Sequence, residues 1–220
     1  MRVRVLCLGL GVCLLLLGES YLFASPASLQ KRLLSACRKG SIPLVKQLLA
    51  QGVKINVSEG EFTPLMETAQ AGRIKVLVFL LKRGAKVKAR HAPGYLTALM
   101  YAKNYGCVKA LLGANANAKD VNVDGESVLL QWAARKGEEA TKVCRLLISK
   151  GADVNGTTIT NETALMSAVE AGNARTVRLL LAKGAQVSRK DESGRTAFSR
   201  AVIQRRSDMA TLLKKAGAKR

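Results

Sequence analysis

The sequence contains few aromatic residues, one histidine and four prolines. Of its 220 residues, 4% are aromatic, and there is a single Trp. One His and dispersed Cys residues argue against a zinc centre, which usually has four Cys, His or carboxylate ligands. The stacking aromatics that bind single-stranded nucleic acid are also missing. Ala and Gly are abundant instead, which favours closely packed helices over an aromatic-rich sandwich.

Cysteines are equally scarce outside the N-terminal segment. The chain after residue 24 has three, Cys37, Cys107 and Cys144, and no two of them have the short spacing of a zinc or redox motif. Because an odd number of thiols cannot all pair within one chain, we predict three buried structural thiols. A disulfide between two of them is the alternative.

The groups that catalysis requires are not assembled in any pattern. His91 stands alone in a loop, and there is no glycine-rich loop of the kind that binds phosphate. The adjacent acids Glu138-Glu139 and Asp191-Glu192 lie in predicted turns, where solvation is expected rather than acid–base work. We therefore predict no enzyme activity, no cofactor and no metal site.

The first 24 residues have the composition of a secretory signal peptide. Arg2 and Arg4 precede an apolar run that extends from Val5 to Gly18, and small residues end the segment at Ala24. The run is short for a membrane span, which needs about 20 residues. We predict cleavage after Ala24 and export to the periplasm or the medium. An uncleaved membrane anchor that uses the stretch from Val5 to Ala24 is the alternative.

A short pattern recurs along the rest of the chain. Thr63 is followed by equivalent residues at Thr97, Ser127, Thr163 and Thr196, with spacings of 34, 30, 36 and 33. Each copy ends near a Gly followed by a small residue, as at Gly84-Ala85 and Gly184-Ala185. Such a regular period indicates a linear array. Six repeats are predicted near 28–59, 60–93, 94–124, 125–160, 161–193 and 194–220, with 25–30 as a short linker or the start of an N-terminal cap.

Each copy has the features of two short helices and a loop. The Thr can cap the first helix, Pro64 suits a first helical turn, and Gly72 or Gly172 ends that helix. A second apolar helix follows and stops at Gly84 or Gly184, where a left-handed residue is expected. Such a unit cannot bury its apolar faces alone, so the copies must stack on one another.

The stretches TPLMETAQAG, TALMSAVEAGNARTVRLLLAKGA and LLGANANAKD resemble ankyrin repeats, and the resemblance covers about 28–220. It implies an all-α solenoid of about six stacked helix-turn-helix units with projecting hairpin loops. In ankyrin proteins the concave surface of hairpins and first helices usually binds another protein. Together with the predicted signal peptide, the resemblance implies an exported, bacterial-type protein-binding module that acts as a scaffold, inhibitor or stabiliser of an unidentified protein. The module itself is expected to be a monomer.

Two repeats depart from the pattern. The interval from Thr97 to Gly113 is five positions shorter than that from Thr63 to Gly84, so we expect five residues to be missing from the helices of the third repeat. The fourth repeat is three residues longer, and we place the extra residues in the turn at 135–139. Trp132 stands in that repeat where the other copies carry Ala or Thr. We predict that its ring fills space left by the shortened third repeat.

The formal net charge of +21 indicates attraction to anions. In the ankyrin register, Lys and Arg lie mostly on the second helices, on the convex side, and acids lie mostly on hairpins and first helices. A nucleic-acid protein would be expected to place its cations on the gripping face, which argues against nucleic acid as a partner. An electrostatic binder of an anionic polymer or membrane surface through the basic convex side is the alternative function.

The binding positions of the family are the hairpin residues before the Thr and two positions late in the first helix. Apolar and aromatic groups gather at these positions in the second and third repeats, and acids gather in the fourth and fifth. The alternative is that Phe62, Tyr95 and Leu96 pack against their own loops. The predicted protein-binding residues are Glu59, Phe62, Gln70, Tyr95, Leu96, Asn104, Tyr105, Asp124, Glu126, Arg135, Glu162, Glu170 and Arg195.

Overall fold

Most first helices begin at the Thr or Ser that marks the repeat. The structure, a computed structural model, describes residues 25–56 and 61–218. Thr63 Oγ1 accepts a hydrogen bond from the Met66 amide at 3.1 Å, and Thr163 Oγ1 accepts one from the Met166 amide at 3.3 Å. Ser127 and Thr196 cap their helices in the same way. The predicted capping role of these residues is confirmed.

Eleven helices and one two-stranded ribbon lie within the described residues. They are α1 (Pro26–Lys39), α2 (Ile42–Ala50), α3 (Pro64–Gln70), α4 (Ile74–Lys82), β1 (Arg90–His91), β2 (Leu96–Thr97), α5 (Tyr105–Gly113), α6 (Val128–Ala133), α7 (Glu138–Ser149), α8 (Ala164–Ala171), α9 (Ala174–Ala182), α10 (Ala197–Ile203) and α11 (Ser207–Lys215).

The helix pairs stack in chain order into one continuous core. Among the first helices, α1 packs on α3, α6 on α8 and α8 on α10. The second helices form a parallel row in which α4, α5, α7, α9 and α11 each contact the next. The predicted all-α solenoid is confirmed.

The N-terminal boundary differs slightly from the expected one. α1 already begins at Pro26, and Ser25 caps it by accepting a hydrogen bond from the Ser28 amide at 3.2 Å. Residues 25–30, predicted as a short linker or the start of an N-terminal cap, therefore belong largely to the first helix. The predicted signal peptide, residues 1–24, lies outside the described residues. Within the described chain, every helix is too short or too polar to cross a bilayer.

The third repeat has lost its first helix. After Thr97 the chain makes only a turn over 98–101, and Thr97 Oγ1 is buried without a hydrogen-bond partner among the described residues. The shortening predicted from the sequence is thus confirmed, but a complete helix pair in this repeat is not formed.

The size of that deletion was overestimated. The amides of Gly84 and Ala85 donate to the Leu81 and Leu80 carbonyls, and those of Asn115 and Ala116 donate to Leu112 and Leu111 in the same way. Asn115 also has the left-handed φ, +63°, that Gly84 has at +83°. The structural equivalent of Gly84 is therefore Asn115 rather than Gly113, and three residues are missing instead of five.

The additional residues of the fourth repeat lengthen a helix. Glu138, the first residue of α7, follows its capping Ser127 by the same interval as Ala174, the first residue of α9, follows Thr163. The first helix and the turn together are therefore equally long in the two repeats, because α6 is two residues shorter than α8 and its turn is two residues longer. α7 then runs for 12 residues, whereas α9 runs for 9. The prediction that the extra residues enlarge the turn is wrong, because they extend the apolar face of α7 instead.

The third repeat should be the weakest internal part of the stack. Stability in a repeat array comes from each unit and its interfaces with its neighbours, and this unit lacks a helix to present to α3 and α6. We predict that, among internal segments, 97–112 shows the fastest amide hydrogen exchange measured by mass spectrometry. Protection equal to that of 163–181 would contradict this prediction.

Candidate functional site

The hairpin loops that precede the first helices are joined to one another by main-chain hydrogen bonds. The Val123 amide donates to the Gly94 carbonyl at 3.3 Å, and the Ile159 amide donates to the Asp124 carbonyl at 2.9 Å. The Glu192 amide continues the series with the Thr160 carbonyl at 3.0 Å. The four consecutive loops that precede Thr97, Ser127, Thr163 and Thr196 therefore hold their tips at a fixed spacing.

Three of these tips carry exposed apolar side chains. Tyr95 is 58% exposed, Val123 55% and Ile159 69%, and we call these three residues the fingertip row. Tyr95 was predicted from the sequence, but Val123 and Ile159 were missed. The sequence feature that could have identified them is a single β-branched apolar residue in an otherwise polar loop tip, as in Asn122-Val123-Asp124. Exposed apolar groups of this kind can anchor a protein interface.

Phe62 and Leu96 are half-buried and pack against the core, as the packing alternative expects. The Phe62 ring meets the rings of His91 and Tyr101 edge-on, each at 5.1 Å between centroids. His91 Nδ1 and the Tyr101 hydroxyl lie 2.9 Å apart, within hydrogen-bond distance. Burial raises the pKa of Tyr101. His91 thus belongs to an aromatic cluster that stabilises the hairpin of the third repeat.

The positions assigned to the end of a first helix in repeats three and four are misplaced. Asn104 caps the second helix α5, because its Oδ1 accepts from the Cys107 amide at 2.9 Å. Its Nδ2 donates to the Gly72 carbonyl at 3.1 Å. Tyr105 is half-buried at the start of α5, and Arg135 follows α6 with its guanidinium 3.9 Å from the Trp132 ring centroid. The loss of the first helix in repeat three accounts for the error at 104–105.

The predicted acids are divided between exposed tips and internal contacts. Asp124 is exposed at a loop tip, whereas Glu126 accepts hydrogen bonds from Asn122 at 3.3 Å and Gln131 at 3.2 Å. Glu162 and Glu170 both accept from Arg200 Nη1, at 3.0 and 2.6 Å. The glutamates of the fifth repeat therefore stabilise the stack as well as facing the concave side.

Arg200 is a buried cation that the sequence did not single out, and its partner Asp191 is buried rather than solvated as predicted. Its side chain is 8% exposed, and its Nη2 donates to Asp191 Oδ2 at 2.7 Å. Burial opposes ionisation of Asp191, but Arg200 and Arg195 hold the pKa of this carboxyl below its usual value. The predicted binding residue Arg195 is exposed and lies 3.4 Å from the same carboxylate. The sequence feature that could have identified Arg200 is a charged residue at a helix position that is buried in the other repeats.

Four predicted site residues are thus exposed where a partner could reach them: Gln70, Tyr95, Asp124 and Arg195. Glu170 is also exposed, although it pairs with Arg200. Glu59 lies outside the described residues. The structure brings Tyr95 and Asp124 to neighbouring hairpin tips, where the unpredicted Val123 and Ile159 join them.

The convex side carries a second polar surface. A groove of about 520 Å³ between α7 and α9 is bordered by Lys142, Arg145, Arg175 and Arg178. Glu138 lies 2.9 Å from Lys142 and 3.7 Å from Arg175, and these two cations lower the pKa of Glu138. Among the described residues Arg145 and Arg178 form no ion pair. Two guanidinium groups are therefore free for an external anion.

The cysteines do not form a reactive or metal-binding centre. Cys37, Cys107 and Cys144 are free and buried, so the disulfide alternative is wrong. Burial raises the pKa of the Cys37 and Cys107 thiols to about 11 and that of Cys144 to about 12. Within 25–56 and 61–218, His, Cys, Asp and Glu side chains nowhere gather in a group of three that could hold a metal ion.

The sequence model for ankyrin repeats matches the chain in three segments, 10–91, 90–158 and 155–219. Its first match begins within the segment predicted as a signal peptide. Ankyrin repeats generally mediate protein–protein interaction and are typically binding modules rather than enzymes.

Similarity to curated proteins is confined to part of each relative. The E3 ubiquitin-protein ligase KEG of Arabidopsis thaliana is 31% identical over 154 residues, which is 67% of this chain and 9% of KEG. The ankyrin repeat domain-containing protein SAT10 of Stachybotrys chartarum is 32% identical over 137 residues, 61% of this chain and 7% of SAT10. The chain thus spans less than a tenth of either relative.

One chain of a solved structure matches most of this chain and nearly all of its own length. It is a chain from the complex of the predatory endopeptidase Bd0816 from Bdellovibrio bacteriovorus with the immunity protein Bd3460. The TM-score is 0.73 with 26% sequence identity, and the match covers 84% of this chain and 97% of the other.

Proposed function

The chain belongs to the ankyrin-repeat family, and from that premise we propose that it is an exported module that binds a protein partner with its hairpin tips and first helices. The fingertip row is the observation that carries the proposal. Three apolar side chains, each more than half exposed, project from loops that hydrogen bonds hold together. Because the row is already ordered, binding would cost little conformational entropy.

An enzyme is the kind of partner that we propose. The matched solved structure comes from a complex of an endopeptidase with an immunity protein. A stack of this size and shape would restrain an enzyme by covering its surface, without any catalytic group of its own. The predicted signal peptide would deliver the chain to the compartment of that enzyme, and sequencing the N-terminus of the native protein tests whether cleavage follows Ala24.

Substitution of the fingertip row should remove binding without unfolding the array. The partner is first identified by pull-down from the native organism with the chain as bait, and its affinity is then measured by calorimetry. We expect Val123→Glu with Ile159→Glu to weaken binding at least tenfold, about 1.4 kcal/mol, because two anchors become charged. The melting temperature should stay close to that of the unsubstituted chain, since both side chains are exposed.

A matched control uses the convex side. Lys142→Glu with Arg145→Glu makes the same number of substitutions to Glu on exposed positions of α7 and should leave partner binding nearly unchanged. If this control abolished binding while the fingertip variant retained it, the concave-face proposal would fail.

A second candidate function is electrostatic binding of an anionic polymer, and one observation favours it. Lys109, Arg145 and Arg178 occupy the same position in α5, α7 and α9, each seven residues before the alanine that follows the left-handed residue. Stacked second helices lie roughly 8–10 Å apart, so these cations form a ladder across three repeats.

Salt distinguishes the two candidates. Binding of heparin through the ladder should weaken steeply as salt rises, because each neutralised anionic group releases a counterion. Arg145→Glu with Arg178→Glu should abolish heparin retention at low salt, whereas Lys75→Glu with Lys82→Glu on α4 should not. Equal retention by both variants would show that the net charge, rather than the ladder, attracts the polymer.

A further inference from the structure

The last helix pair presents an apolar face to solvent. Val202 is 54% exposed and Ile203 66%, and they border a groove of about 770 Å³ that Val187 and Phe198 also line. We call these four residues the terminal face. Terminal units of repeat arrays ordinarily need a polar outer face for solubility. A contiguous apolar surface there indicates an interaction site.

The register of the repeats shows what kind of element fits this face. Val169 and Val202 are each the sixth residue after their capping Thr163 and Thr196. Val169 is fully buried in the stack in which α8 packs on α10, whereas Val202 is exposed because no described first helix lies beyond α10. Val202 therefore occupies a position that the next first helix covers elsewhere in the array, and a helix is the occupant that fits it.

The positive charge of the last repeat indicates what kind of helix would bind there. Residues 187–218 contain eight Lys or Arg and three Asp or Glu. Of the side chains that line the groove only Lys190 is charged, and the Lys214 ammonium lies 5.7 Å from the Phe198 ring centroid. Two copies joined through this end would bring these cations together, which disfavours a second copy as the occupant. A helix with acidic side chains beside its apolar stripe complements the face.

We propose that the terminal face is a second protein-binding surface, separate from the fingertip row, and that it takes an acidic amphipathic helix of a partner. The apolar stripe of that helix would cover Val202 and Ile203, and its carboxylates would meet Lys190 and Lys214. The array would then join two proteins, one along its concave side and one at its end.

The test uses the purified chain and two synthetic probes. The first is a fluorescein-labelled peptide of about 18 residues, long enough to be helical in water, with Leu and Ala on one face and Glu on the other. The second has Lys in place of every Glu. Fluorescence anisotropy should show the Glu peptide binding at least about tenfold more tightly than the Lys peptide.

Matched variants locate the site and exclude the other occupants. Val202→Glu with Ile203→Glu should weaken binding of the Glu peptide at least about tenfold, while Val123→Glu with Ile159→Glu should leave it unchanged. The fingertip variant also separates this inference from the proposed function, because it should lose only the concave partner. No difference between the two peptides, or an equal loss in both variants, would overturn the proposal. So would a dimer in sedimentation that Val202→Glu with Ile203→Glu dissolves, since a second copy would then cover the face.

Discussion

Replacing Trp132 with alanine should lower the free energy of unfolding by about 3–5 kcal/mol, the usual cost of deleting a large aromatic side chain from a core. The ring is 2% exposed. The equivalent residues of the flanking repeats, Ala102 and Ala168, are fully buried and small. The neighbouring third repeat has no first helix that could move into the space that the indole leaves. Urea unfolding followed by circular dichroism measures the loss.

Two variants separate the volume of Trp132 from its other contacts. Trp132→Phe should cost less than Trp132→Ala, because the indole Nε1 has no hydrogen-bond partner among the described residues and a second ring keeps most of the volume. Arg135→Ala should cost roughly 0.5–2 kcal/mol, the range for a cation over an aromatic ring. If Trp132→Ala left stability unchanged and the native fluorescence were red-shifted, Trp132 would be exposed and the packing hypothesis would be wrong.

The fold was predictable because each repeat marks the start and the end of its helices with recognisable residues. Thr63, Thr163 and Thr196 cap helices as expected, and Gly84 and Gly184 have the left-handed φ that their positions predicted. One error in the repeat alignment arose because Asn115, instead of Gly, is the left-handed residue, and Asn also tolerates that conformation. The sequence offered Gly113 two residues earlier, and the apparent deletion grew from three residues to five.

The candidate site was less predictable, because exposure depends on contacts between repeats. Phe62 is the type of residue that is common in interfaces, yet its ring packs edge-on against His91 and Tyr101 of the adjacent hairpin and turn. Ile159 stands in a polar loop and is the most exposed of the large apolar side chains among the described residues. A position within one repeat does not reveal what the adjacent hairpin covers, so the sequence could not show which of the family positions carry exposed side chains.

Arg200→Met should destabilise the array by about 3–5 kcal/mol, the usual cost of removing one partner from a buried ion pair. Asp191, whose side chain is 5% exposed, would lose its closest cation, and Glu162 and Glu170 would lose their shared donor. The carboxylate would keep only the backbone amides of Ser193 and Arg195, at 2.9 and 2.8 Å, together with the exposed Arg195 side chain. Arg195→Met is the control and should cost less than about 1 kcal/mol, as exposed ion pairs do.

The pH dependence identifies the buried carboxylate as the cause of that loss. In the native chain the pKa of Asp191 is held low, so its contribution to stability is present above the ordinary Asp pKa of about 3.9 and is lost as pH falls through the lower folded-state pKa. In Arg200→Met the cost of burying the Asp191 carboxylate is no longer offset by Arg200. Protonation of Asp191 removes that buried charge and so restores part of the stability of the variant. The stability difference between native chain and variant should therefore shrink as urea unfolding is repeated from pH 7 towards pH 3.

A double variant completes the argument. Arg200→Met combined with Asp191→Asn removes both buried charges and keeps a side-chain oxygen that can accept from the Ser193 and Arg195 amides. Removal of both members of a buried ion pair is often neutral in protein interiors. The double variant should recover much of the stability that Arg200→Met loses, and its remaining deficit should vary less with pH. A double variant as unstable at pH 7 as Arg200→Met would show that the glutamates Glu162 and Glu170, and not Asp191, depend on Arg200. In that case the guanidinium would serve chiefly to fasten the sixth repeat to the fifth, from which both glutamates come.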